Sequence, residues 1–581
     1  MDFNLQKGSR SRILAGLLLA IAAIFIVRLF YLQILQYGHY RDLANQEQIK
    51  QLAIPAQRGR IYALDGTSPV PLVMNETVYT VFADPTVVDN QTKVVDTIRS
   101  VAGGEAKSNI AALLKEKDSR YQILATGITL DQTKKIKAVG LHGIGFQAHS
   151  QRVYPEGGLA AQVLGFVNAD GAGKYGLEGG MDSQLKGVDG QLKSVTDVAD
   201  VPLTIGNQNI DTPAKNGTDV VLSIDRNIQS KVEQSLADGL KRNGATNGSV
   251  IVLNPQNGQV VAMANLPTYN PGSFNTVTNA ADFNNDIISH PYEPGSDIKT
   301  FTMATGVDKN VVHAGDTYNN TGSIQVADIT VNNASGDTKF GDITFQTALA
   351  YSLNTGFVTV AERLGDGSNI TLAARNTMYD YFHNKFRLGQ LTGIPLAGEA
   401  AGQVVAPDDP SGEGNAVRYS NMSFGQGMDV TMLQVASGFD AIVNGGTYYK
   451  PTLINGAVDG SGTVQKMATD AGTRILQQST SDEVRNMIVT ARQSVFPGID
   501  KAGYQVGGKT GTSQVAINGG YANDETVGTY LGFGGGNDAK YVIMVEVSGD
   551  HKILQGARDA MPIFTDISNW LLDYLQVPPK S

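Results

Sequence analysis

Apolar residues run almost unbroken from Ile13 to Leu35, on every face that a helix would present. As a helix the run is about 34 Å long, enough to cross a bilayer. Lys7, Arg10 and Arg12 precede it, which predicts a cytoplasmic N-terminus and export of everything after it. Arg28 interrupts the run where it can snorkel towards the outer interface. The run is long for a cleaved signal peptide, and Gln36-Tyr37-Gly38-His39-Tyr40 is a poor small-residue cleavage site. An uncleaved single-pass anchor is the expectation.

Beyond the anchor the pattern changes to short strands and amphipathic helices. Val78 to Phe82 reads as a strand, Asn109 to Lys117 and Leu130 to Val139 as short helices. Asn207 to Thr218 is polar, with Gly and Pro, and reads as a linker. Val220 to Ile224 predicts a strand. A helix follows, with Ile228, Val232, Leu236 and Leu240 on one side. Ser249–Asn254 and Gln259–Ala264 predict a hairpin around Asn257-Gly258. Three more strands are predicted at Tyr504–Val515, Thr529–Phe533 and Tyr541–Val547, with a closing amphipathic helix at Met561–Leu575. Strands at both ends of this region, with helices between, suggest an antiparallel sheet assembled from distant segments. The class is α+β, and 581 residues imply two to four domains.

Composition narrows the function. A net charge of -10 argues against a nucleic-acid partner. Absence of cysteine excludes disulfides, thiol catalysis and Cys-ligated zinc. The seven histidines lack His-Glu-x-x-His spacing. His290, near the motif below, reads as a loop residue. Arg58, Arg60 and Glu178 read as structural ion-pair residues of the middle region.

Three motifs carry chemistry. In Glu293-Pro294-Gly295-Ser296-Asp297-Ile298-Lys299-Thr300, Pro294 and Gly295 break the chain, and Ile298, Phe301, Met303, Ala304 and Val307 predict the buried side of a helix. Ser296 at the helix start and Lys299 one turn on share a face, so the amine can reach the hydroxyl. A lysine kept neutral by burial can take the serine proton, and the helix N-terminus favours an oxyanion. On four residues alone an N-cap and a solvated lysine are the better reading; Ser183-Gln184-Leu185-Lys186 has the same spacing. Ser352-Leu353-Asn354 and Lys509-Thr510-Gly511-Thr512 follow in that order. Ser-x-x-Lys, Ser-x-Asn and Lys-Thr-Gly together form the signature of penicillin-binding proteins and class A β-lactamases.

On these motifs the chain resembles the class B penicillin-binding proteins, nearer their division-specific branch than their elongation branch. Arg58-Gly59-Arg60-Ile61, Arg152-Val153-Tyr154-Pro155 and Gly176-Leu177-Glu178-Gly179 look like the family's pedestal motifs. Ile224-Asp225-Arg226-Asn227-Ile228-Gln229 and Ser423-Phe424-Gly425-Gln426-Gly427 look like stretches of its catalytic domain. The resemblance implies a cytoplasmic tail at 1–12, an anchor at 13–35, an elongated mixed α/β pedestal at 36–217, and a serine β-lactamase-like transpeptidase domain at 218–578.

It also implies roles. Ser296 attacks the penultimate D-Ala carbonyl of a peptidoglycan stem peptide ending in D-Ala-D-Ala. Lys299 is the base, Ser352 relays a proton, Lys509 stands by as a cation, and Asn354 binds the donor backbone. Thr510 and Thr512 hold the terminal carboxylate, Gly511 leaves room, and the N–H groups of Ser296 and Thr512 form the oxyanion hole. β-Lactam antibiotics acylate Ser296; no metal or organic cofactor is required. The implied partners are a SEDS-family glycan polymerase and other membrane proteins of division or elongation. Strict strand alternation sets Lys509 and Gly511 opposite Thr510 and Thr512, so a strand edge or twist must reunite them. Where the family often has Thr and Phe, this chain has Asp297 and Ile298. Asp297 either supports the helix N-terminus, points to solvent, or faces the site and perturbs Lys299. The rival readings are a β-lactamase or D,D-carboxypeptidase, with Glu399 as a nearby deacylating candidate, and a silent β-lactam-binding scaffold.

Overall fold

The computed structural model describes residues 7–40, 49–195, 210–334, 339–458, 463–468, 470–517 and 520–580. The first residues of the expected linker, 207–209, lie outside them. The chain divides into two compact units, one joining Met1–Arg58 with Gly187–Gly217, the other Gly59–Lys186 with Thr218–Ser581.

In the first unit the apolar run is helical over Lys7–Phe30 and passes into a wider turn over Tyr31–Leu35. Ser11–Leu35, with a mean hydropathy of 2.7, is long and apolar enough to cross a membrane. Arg28 stacks over the Tyr31 ring at 5.6 Å, a position that keeps its charge beside an interfacial aromatic. The unit also holds three antiparallel strands in the order Ile49–Ile54, Gly190–Val195, Ile210–Thr212.

In the second unit the predicted strand at Val78–Phe82 is the C-terminal part of a longer one, Ser68–Ala83. It pairs with Ile61–Asp65, Gln122–Ile128 and Ile144–Val153. The expected helix at Asn109–Lys117 shrinks to one turn, Ile110–Leu113. The helix Leu130–Ala138 carries a capping box between Thr129 and Gln132. Strand Asp219–Asp225 pairs in parallel with Ile61–Asp65, so one sheet runs through both sequence regions. Arg60 bonds Asp219 at 2.7 Å, and buried Glu178 takes its guanidinium from Arg152 at 2.6 Å.

The site is carried by a second sheet. Its flanking elements are helix α1 (Arg226–Asn243), strands β1 (Asn247–Asn254) and β2 (Gln259–Leu266), helix α2 (Lys299–Asp308), strands β3 (Gln505–Ile517), β4 (Gly520–Gly535) and β5 (Ala539–Ser548), and helix α3 (Met561–Tyr574). The strands lie in the order β2-β1-β5-β4-β3, all antiparallel. Distant segments therefore meet in one sheet, as the strand pattern predicts. Val250, Val252, Ile543 and Val545 face α1 and α3 through Val232, Leu236, Phe564 and Ile567. Ile251, Leu253, Leu531 and Met544 belong to the core on the opposite face, with Phe301 of α2 and the helix Met432–Val443. Helices on both faces explain why β1 and β5 read as continuous apolar runs rather than alternating ones. One of the sheet's two edge strands is β3, the strand with the Lys-Thr-Gly motif.

Candidate active site

Helix α2 has no solvent face. The sequence predicts one buried side, yet every residue from Lys299 to Val307 is buried. Three threonines make this tolerable, because their hydroxyls bond carbonyls. Thr300 donates to Asp297 O at 2.8 Å, Thr302 to Ser423 O at 2.8 Å and Thr305 to Phe301 O at 2.8 Å. The motif itself enters the helix through a 3₁₀ turn, Gly295–Ile298. Residues three apart eclipse in such a turn, which sets Ser296 above Lys299.

That turn is clamped from two sides. Gly295 has φ +61° and donates its N–H to Gly425 O at 2.9 Å. A Cβ on Gly425 would lie 1.7 Å from Gly295 O, so only glycine fits there. Ser513 on β3 donates its hydroxyl to Glu293 O at 2.6 Å. The Glu293 carboxylate accepts the Gly427 N–H at 2.6 Å and the Tyr521 hydroxyl at 3.0 Å. Ser296 is left half-buried between these clamps.

Lys299 is fully buried; its Nζ donates to Ser352 O at 2.6 Å and Asn354 Oδ1 at 2.7 Å, and lies 3.0 Å from Ser352 Oγ. Burial, reinforced by the charge of Lys509, holds this amine well below the ordinary lysine range. The expected direct contact is absent: among the described residues no hydrogen bond joins Lys299 Nζ to the Ser296 hydroxyl. Two of its acceptors are carbonyl oxygens with nothing to donate. A neutral amine satisfies both with its two N–H bonds and keeps a lone pair.

Ser352 sits between the helices Phe345–Ala350 and Asn354–Arg363. Its φ of +58° is left-handed, a strained conformation for serine. Leu353 is 3% exposed, so this side chain anchors the tight connection in the core. Asn354 is braced by donating Nδ2 to Asn332 O at 2.9 Å.

Lys509 reaches the same serine from the sheet. Its Nζ donates to Ser352 Oγ at 2.9 Å, to Thr510 O at 2.8 Å and to Thr510 Oγ1 at 3.4 Å. For Lys509 and Thr510 this resolves the alternation problem. Lys509 starts on the face of α2, and its long stem curls around the free edge of β3 to meet Thr510. Thr512 is exposed, and its Oγ1 accepts the Gly556 N–H at 3.3 Å. Burial lowers the Lys509 amine to about 8, with Asp297 acting in the opposite direction.

Asp297 neither points to solvent nor acts on Lys299. It is completely buried, and its Oδ2 accepts the Thr529 hydroxyl at 2.7 Å. Burial pushes its carboxyl up to about 7 against the pull of Thr529 and Lys509. Its field acts on Lys509 rather than on Lys299. Thr529 carries no motif, and only its register with Gly511 identifies it. Glu293 is foreshadowed only by its place before Pro294-Gly295. Glu399 is engaged elsewhere. Its carboxylate accepts the N–H groups of Thr392 at 2.6 Å and Gly393 at 3.0 Å, closing a loop. His290 ends the short helix Asp286–Ser289.

A serine on a tight turn, a buried amine, a second hydroxyl shared by two lysines and an open strand edge suit acyl transfer. The family description "Penicillin binding protein transpeptidase domain" matches residues 248–569, and "Penicillin-binding Protein dimerisation domain" matches residues 53–222. Penicillin-binding protein PbpB of Mycobacterium tuberculosis is 31% identical, over 84% of this chain and 72% of its own length. Peptidoglycan D,D-transpeptidase FtsI of Buchnera aphidicola is 27% identical, over 98% of this chain and 95% of its own length. The crystal structure of penicillin binding protein 3 from Mycobacterium tuberculosis, complexed with aztreonam, shares 25% identity. Its TM-score is 0.67, over 91% of this chain and 98% of that one.

Proposed function

The chain belongs to the class B penicillin-binding proteins, and we propose that it cross-links peptidoglycan stem peptides through an acyl-enzyme on Ser296. The observation that carries the assignment of roles is the convergence of Lys299 and Lys509 on the Ser352 hydroxyl, at 3.0 and 2.9 Å. Ser296 Oγ attacks the penultimate D-Ala carbonyl, and its proton passes to the neutral Lys299 amine. Backbone N–H groups of Ser296 and Thr512 receive the oxyanion. The C–N bond to the terminal D-Ala breaks, and its nitrogen takes a proton through Ser352. Lys509, as a cation, with the hydroxyls of Thr510 and Thr512, holds the terminal carboxylate. Asn354 holds the donor backbone, and Gly511 lets it approach β3. An amine of a neighbouring stem peptide then attacks the ester, gives up a proton and frees Ser296.

A β-lactam imitates the D-Ala-D-Ala end and stops at the acyl-enzyme. The engagement of both Glu399 oxygens in a loop supports slow release over hydrolysis. Residues 13–35 anchor the chain with residues 1–12 in the cytoplasm; the pedestal at 36–217 and the catalytic region at 218–578 lie outside. The basic flank of Lys7, Arg10 and Arg12 supports that orientation. The pedestal and anchor dock a SEDS-family polymerase, and the division branch is the reading favoured by Phe82-Ala83-Asp84-Pro85 and the Arg152–Phe166 stretch.

Intact-protein mass spectrometry after benzylpenicillin tests the assignment. A stable adduct of one β-lactam mass, absent in Ser296→Ala, is expected. Penicillin consumed without an adduct would shift the assignment to a β-lactamase. Penicillin left intact would indicate a silent scaffold.

A further inference from the structure

Beneath α2 one register crosses all five strands of the central sheet. Gly511 on β3 opposes Thr529 on β4, Thr529 opposes Glu546 on β5, Glu546 opposes Ser249 on β1, and Ser249 opposes Asn265 on β2. Opposed residues share a sheet face, so a polar row crosses a face that Ile251, Leu531 and Met544 otherwise make apolar. Asp297 covers the end of this row beside the motif strand. Its Oδ2 holds the Thr529 hydroxyl, and a Cβ on Gly511 would lie 2.8 Å from the same oxygen. Its Oδ1 is buried without a hydrogen-bond partner. A buried carboxylate with one oxygen unmet needs a nearby positive charge to stay ionised.

The titratable groups around it leave one choice. Lys299, one turn further along, is driven towards its uncharged form by burial and by Lys509. Tyr292, from the segment before the turn, is kept protonated far above its usual range by burial, Glu546 and Asp297. Tyr530 on β4 is pushed up to about 12, chiefly by burial. Glu546 on β5 is pushed up to about 7 by burial and Asp286. Tyr292, Tyr530 and Glu546 are never cations, and burial works against a charge on Lys299. Lys509 is the cation, and its three bonds all go to uncharged oxygens of Ser352 and Thr510.

We propose that Asp297 is a positioning residue, the counter-charge that keeps Lys509 a cation across the gap left by Gly511. The inference rests on the transpeptidase reading of the site and assigns a second control point to it. The carboxylate acts through space, without displacing Lys509 from Ser352. It therefore sets the upper pH at which the site still attracts a substrate carboxylate. Asp297 is the one contribution that raises the Lys509 amine against burial. Neutralising it should lower the pH at which the ammonium is lost, by about one unit, the low end of what a nearby opposite charge does.

The test is the pH profile of acylation by benzylpenicillin, measured on the full chain in detergent micelles. Wild type is compared with Asp297→Asn and Asp297→Thr, with Ser296→Ala as the covalency control and thermal melting as the check on folding. The wild-type rate should fall on the alkaline side with a half-point near the Lys509 value of about 8. In both variants the half-point should move down by about one unit, leaving roughly eightfold less protonated Lys509 at a pH half a unit above the wild-type half-point. A uniform loss of rate with an unmoved half-point overturns the proposal, because a merely structural role predicts that result. Unchanged profiles overturn it too. So does a wild-type profile without an alkaline fall, whatever the variants do. Failure of wild type to form any adduct would overturn the transpeptidase reading first, and this inference with it.

Discussion

Two buried basic centres pack against the same sheet and are built to opposite ends. Arg492, on the helix Gln478–Val495, is 1% exposed and fully paired. It donates Nε to Asp500 Oδ2 at 2.8 Å, Nη2 to Asp500 Oδ1 at 2.7 Å, and Nη2 to Thr565 Oγ1 at 2.9 Å, and it bonds the Tyr530 hydroxyl. Burial works against its charge, but Tyr530 and Asp500 outweigh it and raise the guanidinium further. Lys299 is equally buried and meets only neutral oxygens, so burial wins and its hold on a proton weakens well below the ordinary lysine range. The carboxylate makes the difference. A bidentate partner fixes a charge as structure, whereas withholding one leaves a reactive base.

Substitutions at the two centres should therefore fail in different ways. Lys299→Ala has the largest expected effect, a fall of about 10²- to 10⁴-fold in acylation by benzylpenicillin. Its melting temperature should stay near that of wild type, since no buried charge is orphaned. Stopped-flow kinetics and calorimetry on one sample would check both halves. Arg492→Ala should reverse the pattern. Loss of the guanidinium strands Asp500 and Tyr530, at about 3–5 kcal/mol of stability, while the folded fraction still acylates; denaturant titration reads the loss.

A pH series separates the centres further. The Asp297 carboxyl is raised to about 7 in the folded chain from an ordinary 3.8. Folding binds an extra proton between those values, so this group's contribution to stability is complete below about pH 4 and is lost as pH rises to 7. Asp297→Asn should gain on wild type across that window, by on the order of a few kcal/mol, as read by melting temperature. An equal difference at all pH values would contradict it. The smallest effect belongs to Thr565→Val, which removes one of several bonds to Arg492. A loss of about 0.5–1.5 kcal/mol is expected, and a larger one would mean that Asp500 does not dominate the centre.

Much of this architecture is legible in the sequence, because periodicity reports burial directly. The anchor, the hairpin around Asn257-Gly258 and the order of the three motifs need only local pattern. Other features depend on contacts between distant segments. Lys299 reads as a helix residue beside Ser296, yet its bonds go to Ser352 and Asn354, more than fifty positions away. The alternation of Lys509 and Thr510 looks like a conflict until β3 proves to be an edge strand. Asp297 leaves three readings open in the sequence; only register shows that it lies over Gly511 and Thr529. Arg492 has no local signal at all. It is one arginine in an amphipathic helix, and its partners come from the following loop, β4 and α3. Gly425 matches a family stretch, but its reason, the carbonyl of Gly295, appears only in three dimensions.

Burial draws Lys299 towards its uncharged form, while Asp500 and Tyr530 hold Arg492 charged. The most direct measurement is the ¹⁵N resonance of the Lys299 side chain, assigned by its loss in Lys299→Arg, followed through a titration of the full chain. The account predicts the signal of an uncharged amine at neutral pH, with protonation only well below the ordinary lysine range. An ammonium signal that persists into alkaline solution would contradict it, and would take from Lys299 the role of base.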